Sequence, residues 1–209
     1  MFTHCRSGNA SLAAAAATSA PAARAARPGD LARSAFRPVG PNKRDAFVVP
    51  GGYRSSVVIR WGDPVVYGAS QFDVTNQSVR SAERQFGYNC DYVGVIHLSP
   101  TRALLVVNHE YTNEELMFPS GEYDSATMKK IAMASHGMSV VKVRRSSPDT
   151  GVWRRVAPAR TTYNRRITAH TRMRLDGPAA GDRRLRTGAD STGTIVRGTL
   201  NTCAGGMTP

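Results

Sequence analysis

The sequence predicts a mainly β fold carrying short helical insertions, and three observations lead there. Past Pro41 the chain runs through short segments rich in Val, Ile and Thr, punctuated by Gly, Pro, Asn and Asp, as strands joined by turns do. Helical patterning is confined to two places, so strands and helices do not alternate as a doubly wound sheet requires. No run of 18 strongly apolar residues is present, so nothing reads as a membrane span. Pattern alone leaves a propeller and a sandwich both open, because no internal repeat separates them.

The elements follow in order. Residues 8–28, an Ala run closing in Ala25-Ala26-Arg27-Pro28, are low in complexity and cannot bury much surface. Together with the flanking positions they make residues 1–40 an Ala-rich leader, disordered or signal-peptide-like, with Arg6 ahead of a weakly apolar stretch and small residues near Ala23-Arg24-Ala25. No twin-Arg pair precedes that stretch. Residues 41–209 are the folded part, with strands expected at 55–61, 92–97, 103–108, 138–145, 152–156 and 193–200. A short helix is expected over 76–86, stopped by Gly87. A longer one is expected over 124–136, with Asp124 or Ser125 as N-cap, Gly137 just past its end, and Met128, Ile131, Ala132 and Ser135 on one face.

The formal net charge is +13 over 209 residues, which raises the possibility of nucleic-acid binding. Its distribution argues otherwise. Residues 1–139 hold 14 Lys/Arg against 11 Asp/Glu, whereas residues 140–209 hold 14 against 4. The excess is almost all Arg, in pairs such as Arg144-Arg145, Arg154-Arg155, Arg165-Arg166 and Arg183-Arg184, with Trp153 and Tyr163 as the aromatics among them. Stacking platforms and Lys-rich tails look different, and paired Arg beside short apolar runs reads as the solvated face of strands.

Three stretches place polar residues where a plain strand would not want them: Phe86-Gly87-Tyr88-Asn89-Cys90-Asp91-Tyr92, the run from Val107 through Asn108-His109-Glu110 to Met117, and Gly198-Thr199-Leu200-Asn201-Thr202-Cys203-Ala204-Gly205-Gly206. In the second, an apolar strand ends in an amide, an imidazole and a carboxylate. Glu110 with Asn108 offers hard oxygen donors suited to calcium, and His109 offers a borderline nitrogen. In the third, a thiol lies beside a Gly-Gly pair that lets the backbone approach something closely. Cys5, Cys90 and Cys203 form no pairwise metal spacing and no even disulfide framework, so each is weighed singly as a small buried hydrophobe or a soft ligand. No Gly-x-Ser-x-Gly elbow, Walker-type loop or His-Glu-x-x-His is present.

Taken together these stretches resemble the PhoX-type alkaline phosphatases. The resemblance rests on ordered matches from about Phe36 onward: Gly52-Tyr53, Val58-Ile59-Arg60-Trp61-Gly62-Asp63-Pro64, Arg84 to Asn89, Ala103 to Asn113, Arg165-Arg166-Ile167-Thr168-Ala169-His170-Thr171, and Asn201 to Gly206. It implies a six-bladed β-propeller, of which this chain makes the first blades, carrying iron and calcium ions and hydrolysing phosphate monoesters after twin-arginine export to the periplasm or beyond. By the same resemblance Cys203 matches an iron-binding cysteine, and Glu110 matches a metal-site carboxylate. Asn89 and Asp91 are implied at that site, and Arg165 and Arg166 are candidates to steer substrate phosphate; no catalytic residue is carried over.

The chain departs from the pattern at Arg172, where Pro is expected, at Asp182, where His is expected, and at Thr202 and Met207 within the cysteine motif, where Asn and Thr are usual. It stops at Pro209 where the pattern continues, so an incomplete, monomeric polypeptide with negligible activity on its own is expected, acting in full-length form on small phosphate monoesters and on neither nucleic acid nor membrane. Two other classes stay open: a propeller that kept the scaffold and lost the site, and a basic nucleic-acid binder.

Overall fold

A computed structural model describes residues 37–149 and 151–208. Most of the expected leader, residues 1–36, lies outside the described residues. The chain divides into two compact units, Arg6–Val57 and one that comprises Val58–Pro209. In the first, residues 37–57 hold turns but no helix or strand. One of those turns is closed by the Tyr53 amide donating to the Pro50 carbonyl at 3.1 Å.

The second unit is mainly β, with antiparallel sheets and few helices. Its larger sheet runs β1 (Cys90–Ser99), β2 (Arg102–His109), β3 (Gly137–Arg144), and then β4 (Arg154–Arg155) and β5 (Arg165–Ile167), which both pair with β3. β6 (Arg172–Arg174) and β7 (Ile195–Arg197) form a separate two-stranded ribbon. β3 alternates buried and partly buried residues along its length, as a strand with one face on a core must. Val141 and Val143 from that face join Ala103, Val107, Val65 and Phe86 in the core under the sheet.

Three α-helices are present among the described residues: α1 (Val79–Ala82), α2 (Glu114–Met117) and α3 (Ser125–Ser135). α3 begins where the sequence places it, because Asp124 Oδ1 accepts from the amides of Ala126 and Thr127, each at 2.9 Å. Its buried face, Ile131 and Ala134, meets Met117, Phe118 and Ala82 in a second core, flanked by Trp61, Tyr88 and Tyr123. The helix ends before Gly137, which has φ +102° and whose missing Cβ would fall 2.0 Å from the Ile167 carbonyl oxygen. Only glycine lets the chain pass from α3 straight into β3 this close to β5.

Four expectations about elements are corrected. Residues 55–61 form no strand; they pair with nothing in a ladder, although Val58 and Ile59 still pack on the first core. The short helix covers only Val79–Ala82 of the expected 76–86, because Ser78 caps it and the chain then turns into the Pro64–Gln85 bridge. The strands expected at 152–156 and 193–200 shrink to Arg154–Arg155 and Ile195–Arg197. β5, β6 and α2 were not expected; two are three-residue, Arg-rich strands whose pairing comes from their partners.

Candidate metal centre

β1 and β2 run antiparallel with Cys90 opposite His109, so Asp91, just inside β1, and Glu110, just past β2, emerge at the same end of the sheet. The register slips between Cys90 and Val93, where three residues of β1 span two of β2. That bulge contains Asp91 and Tyr92, and a bulge re-aims a side chain out of the plain alternation.

The third residue arrives from far along the chain. Past β7 the chain comes back to this corner, where Asn108 Nδ2 donates to the carbonyls of Cys203 (3.0 Å) and Ala204 (3.3 Å). Thr202 Oγ1 donates to the Gly137 carbonyl at 2.8 Å, and Asn201 Nδ2 donates to the Glu110 carbonyl at 3.3 Å. Gly205 passes against the Tyr92 ring, where a Cβ would sit 2.5 Å from Cδ1. Asn108 and Thr202 are both buried, so these clamps are shielded from water.

The outcome is a group of three donors, a carboxylate oxygen each from Asp91 and Glu110 and the Cys203 sulfur, all within 4.8 Å of one another. Cys203 Sγ lies 3.5 Å from Asp91 Oδ2. Glu110 binds its proton more tightly than an ordinary glutamate, first because it is partly desolvated and then because Asp91 beside it shares a proton with it and repels its charge. Two carboxylates held in this conflict, with a sulfur next to them, form a donor set that a cation relieves. Cys203 is disulfide-bonded in this structure, which departs from the single thiols expected of the sequence; its reduced form is the one that offers a thiolate.

Two asparagines bracket the cluster with left-handed backbone, Asn89 at φ +50° and Asn201 at φ +51°. Non-glycine residues seldom adopt this conformation, and asparagine is among the few that tolerate it. Asn89 joins the site through its backbone, its carbonyl accepting from the Glu110 amide at 3.3 Å.

His109, a candidate nitrogen ligand by sequence, is corrected. It is fully buried, and its Nε2 accepts from the Gly87 amide at 3.3 Å and lies 2.8 Å from Ser139 Oγ, with the Phe86 ring edge-on to it. Burial, and after it the Arg166 charge, push its pKa well below the usual imidazole value, with the backbone of Tyr88 and Asn89 pulling the other way. It is a neutral bracket between β2, β3 and the Gly87 turn.

Arg165 and Arg166 occupy successive positions on β5 and so point to opposite sides. Arg165 is exposed and donates to the Tyr163 carbonyl at 2.7 Å. Arg166 is buried, with Nε donating to Gln85 (2.8 Å), Nη1 to Met138 and Ile167, and Nη2 to Ala134. Its four acceptors are all backbone carbonyls, so it ties β3, β5 and the end of α3 together. Burial lowers its pKa to about 9, opposed by Glu83. Sequence reasoning missed Asn108 and Thr202 as clamps, although both lie inside stretches it singled out.

The family model described as alkaline phosphatase PhoX matches residues 34–209. Among solved structures, Pseudomonas fluorescens PhoX in complex with vanadate, a transition state analogue, is similar with a TM-score of 0.69 and 35% identity. The match covers 79% of this chain and 28% of that one, so this chain spans less than a third of its length. No curated protein sequence matches.

Proposed function

The chain belongs to the alkaline phosphatase PhoX family, and from that premise we propose that it serves a metal-dependent phosphomonoester hydrolase, with Asp91, Glu110 and Cys203 as protein ligands at its metal centre. The observation that carries this reading is the convergence of those three donors within 4.8 Å, in a chain matched by the family model over residues 34–209.

The donor set fits the ions that the resemblance implies. A reduced Cys203 is a soft, anionic ligand suited to iron, and the oxygens of Asp91 and Glu110 suit calcium as well as iron. Asn89, the remaining candidate, sits beside the group and is assigned to it on the family resemblance. Bound cations supply charge neutralisation of a phosphoryl group and a nucleophile of lowered pKa. The protein's own residues do the positioning: Asn108 and Thr202 fix the backbone that carries Cys203, the bulge aims Asp91, and His109, held neutral, adds no competing charge. We further assign the sheet to a β-propeller, the substrates to small phosphate monoesters, and the site of action to the periplasm or outside the cell by the twin-arginine route.

The test is hydrolysis of p-nitrophenyl phosphate by the full-length native protein, with and without a chelator. Activity that is lost on chelation, restored by iron and calcium, and absent from Asp91→Asn supports the assignment; chelator-insensitive hydrolysis, or full activity in Asp91→Asn, refutes it. Vanadate, bound in the P. fluorescens structure, is expected to inhibit.

A further inference from the structure

A cavity of about 450 Å³ opens beside α1 and the β5–β6 turn and shares no lining residue with the metal-type cluster. We propose that it is a second, metal-independent binding site for a phosphate group, either inorganic phosphate or the phosphate of a small monoester.

The charge of its walls points to an anion. Arg80, Arg84 and Arg166 line it against one carboxylate, Glu83. That carboxylate is already engaged, with Oε1 2.8 Å from His170 Nδ1, another lining residue. Arg166 is immobilised by its four carbonyl acceptors, which use four of its five N–H groups. Its positive charge is therefore held in a fixed place and largely stripped of water, where an anion feels it most.

Arg84 supplies an independent sign. It donates through Nη2 to the Tyr67 carbonyl, yet its Nε is buried with no hydrogen-bond partner. A buried unsatisfied guanidinium N–H is costly, and an anion drawn against the Arg84 guanidinium offsets that cost through its charge. The Thr168 and Thr171 hydroxyls add neutral donors on the same wall. The volume lies within the usual range for small-ligand sites, roughly 300–1,000 Å³, and leaves room for a short organic group beside the phosphate.

The test is calorimetric titration of the 209-residue chain in excess EDTA with inorganic phosphate and, separately, with glycerol 3-phosphate. EDTA removes metal-held phosphate from the reading. Saturable binding by either ligand is expected, and which one binds more tightly distinguishes the two sources. Arg80→Ala and Arg84→Ala should each weaken it by about tenfold or more, the loss of one charge-assisted contact, while Asp91→Asn leaves it unchanged. Arg80 is exposed and lies on the outside of a short helix, so its variant keeps the test valid if Arg84→Ala, which loses the Tyr67 bond, unfolds. Absence of binding by protein with a native circular dichroism spectrum overturns the proposal, as does binding that Arg80→Ala leaves within twofold of wild type.

Discussion

Asp91, Glu110 and Cys203 bring a carboxylate pair and a sulfur to one point, and the chemistry available there depends on the state of each atom. Cys203→Ser keeps the shape and removes the soft ligand, so iron content by elemental analysis should fall by at least about tenfold while the fold persists. Gly137 is the residue on which the backbone depends most: a Cβ there meets the Ile167 carbonyl at 2.0 Å with φ already +102°. Gly137→Ala should cost about 1–3 kcal/mol in urea denaturation. Asp91, Glu110 and Cys203 were expected together on the family resemblance, and the fold does bring their donor atoms within 4.8 Å of one another; the polar residues among strand formers only marked the stretches that hold them. His109 was misread because adjacency in sequence is not adjacency in a strand: side chains alternate, and the one beside Glu110 points into the core. Asn89 was a candidate by resemblance and Asn201 was not a candidate at all, yet both take left-handed backbone, invisible to composition, and bracket the site.

Elements differ in how much of their order is their own. α3 carries its start signal locally, in Asp124, so Asp124→Ala should lower stability by about 1 kcal/mol. The loop before β7 is held by a single carboxylate: Asp190 Oδ1 accepts from the Thr192 amide and hydroxyl, and Oδ2 accepts from the amides of Thr194 and Ile195. The Thr192 side chain, then the backbone of Ile195, leads the bonds that draw the Asp190 pKa down to about 2. A depressed carboxylate contributes stability above its unfolded pKa, near 3.9, and loses it as pH falls through the folded value. Amide exchange at Thr194 and Ile195 should therefore stay slow at pH 5 and accelerate, beyond the intrinsic trend, between about pH 4 and 2; no difference from Asp190→Asn across that range would remove the loop's dependence on charge. β3 and α3 were readable because their burial period matches their own geometry over eight or more residues, and β2 because it is a continuous apolar run, Ala103-Leu104-Leu105-Val106-Val107, buried on both faces over much of its length. Residues 55–61 carry the composition of a strand but find no neighbour to pair with, while β5 and β6 carry charged, three-residue sequences that become strands only because β3 and β7 present free edges. Pairing is a property of two segments, and one segment's sequence does not contain it.

At the scale of the whole molecule, β1 has a strand on one side only among the described residues, and Val93, Val95, Ile96 and Leu98 along it are exposed. An edge of this kind invites pairing with another chain. Ile96→Lys is expected to raise the concentration at which the chain remains monodisperse in light scattering, and an unchanged threshold would show that β1 is shielded. The fold class was legible from the length and composition of the strands, whereas the corner where the site forms was not, since it depends on residues from the middle of the chain meeting one near position 203. Asp91 and Cys203 stand 112 positions apart. A cation held by both would act as a removable cross-link, closing a loop whose entropic cost rises only slowly with its length. It would bind the native chain and scarcely the unfolded one, adding about 2.7 kcal/mol at a hundredfold excess over its dissociation constant. Ligation would then report completed folding, because the first strand and the last segment have to meet before there is anything for the ion to join.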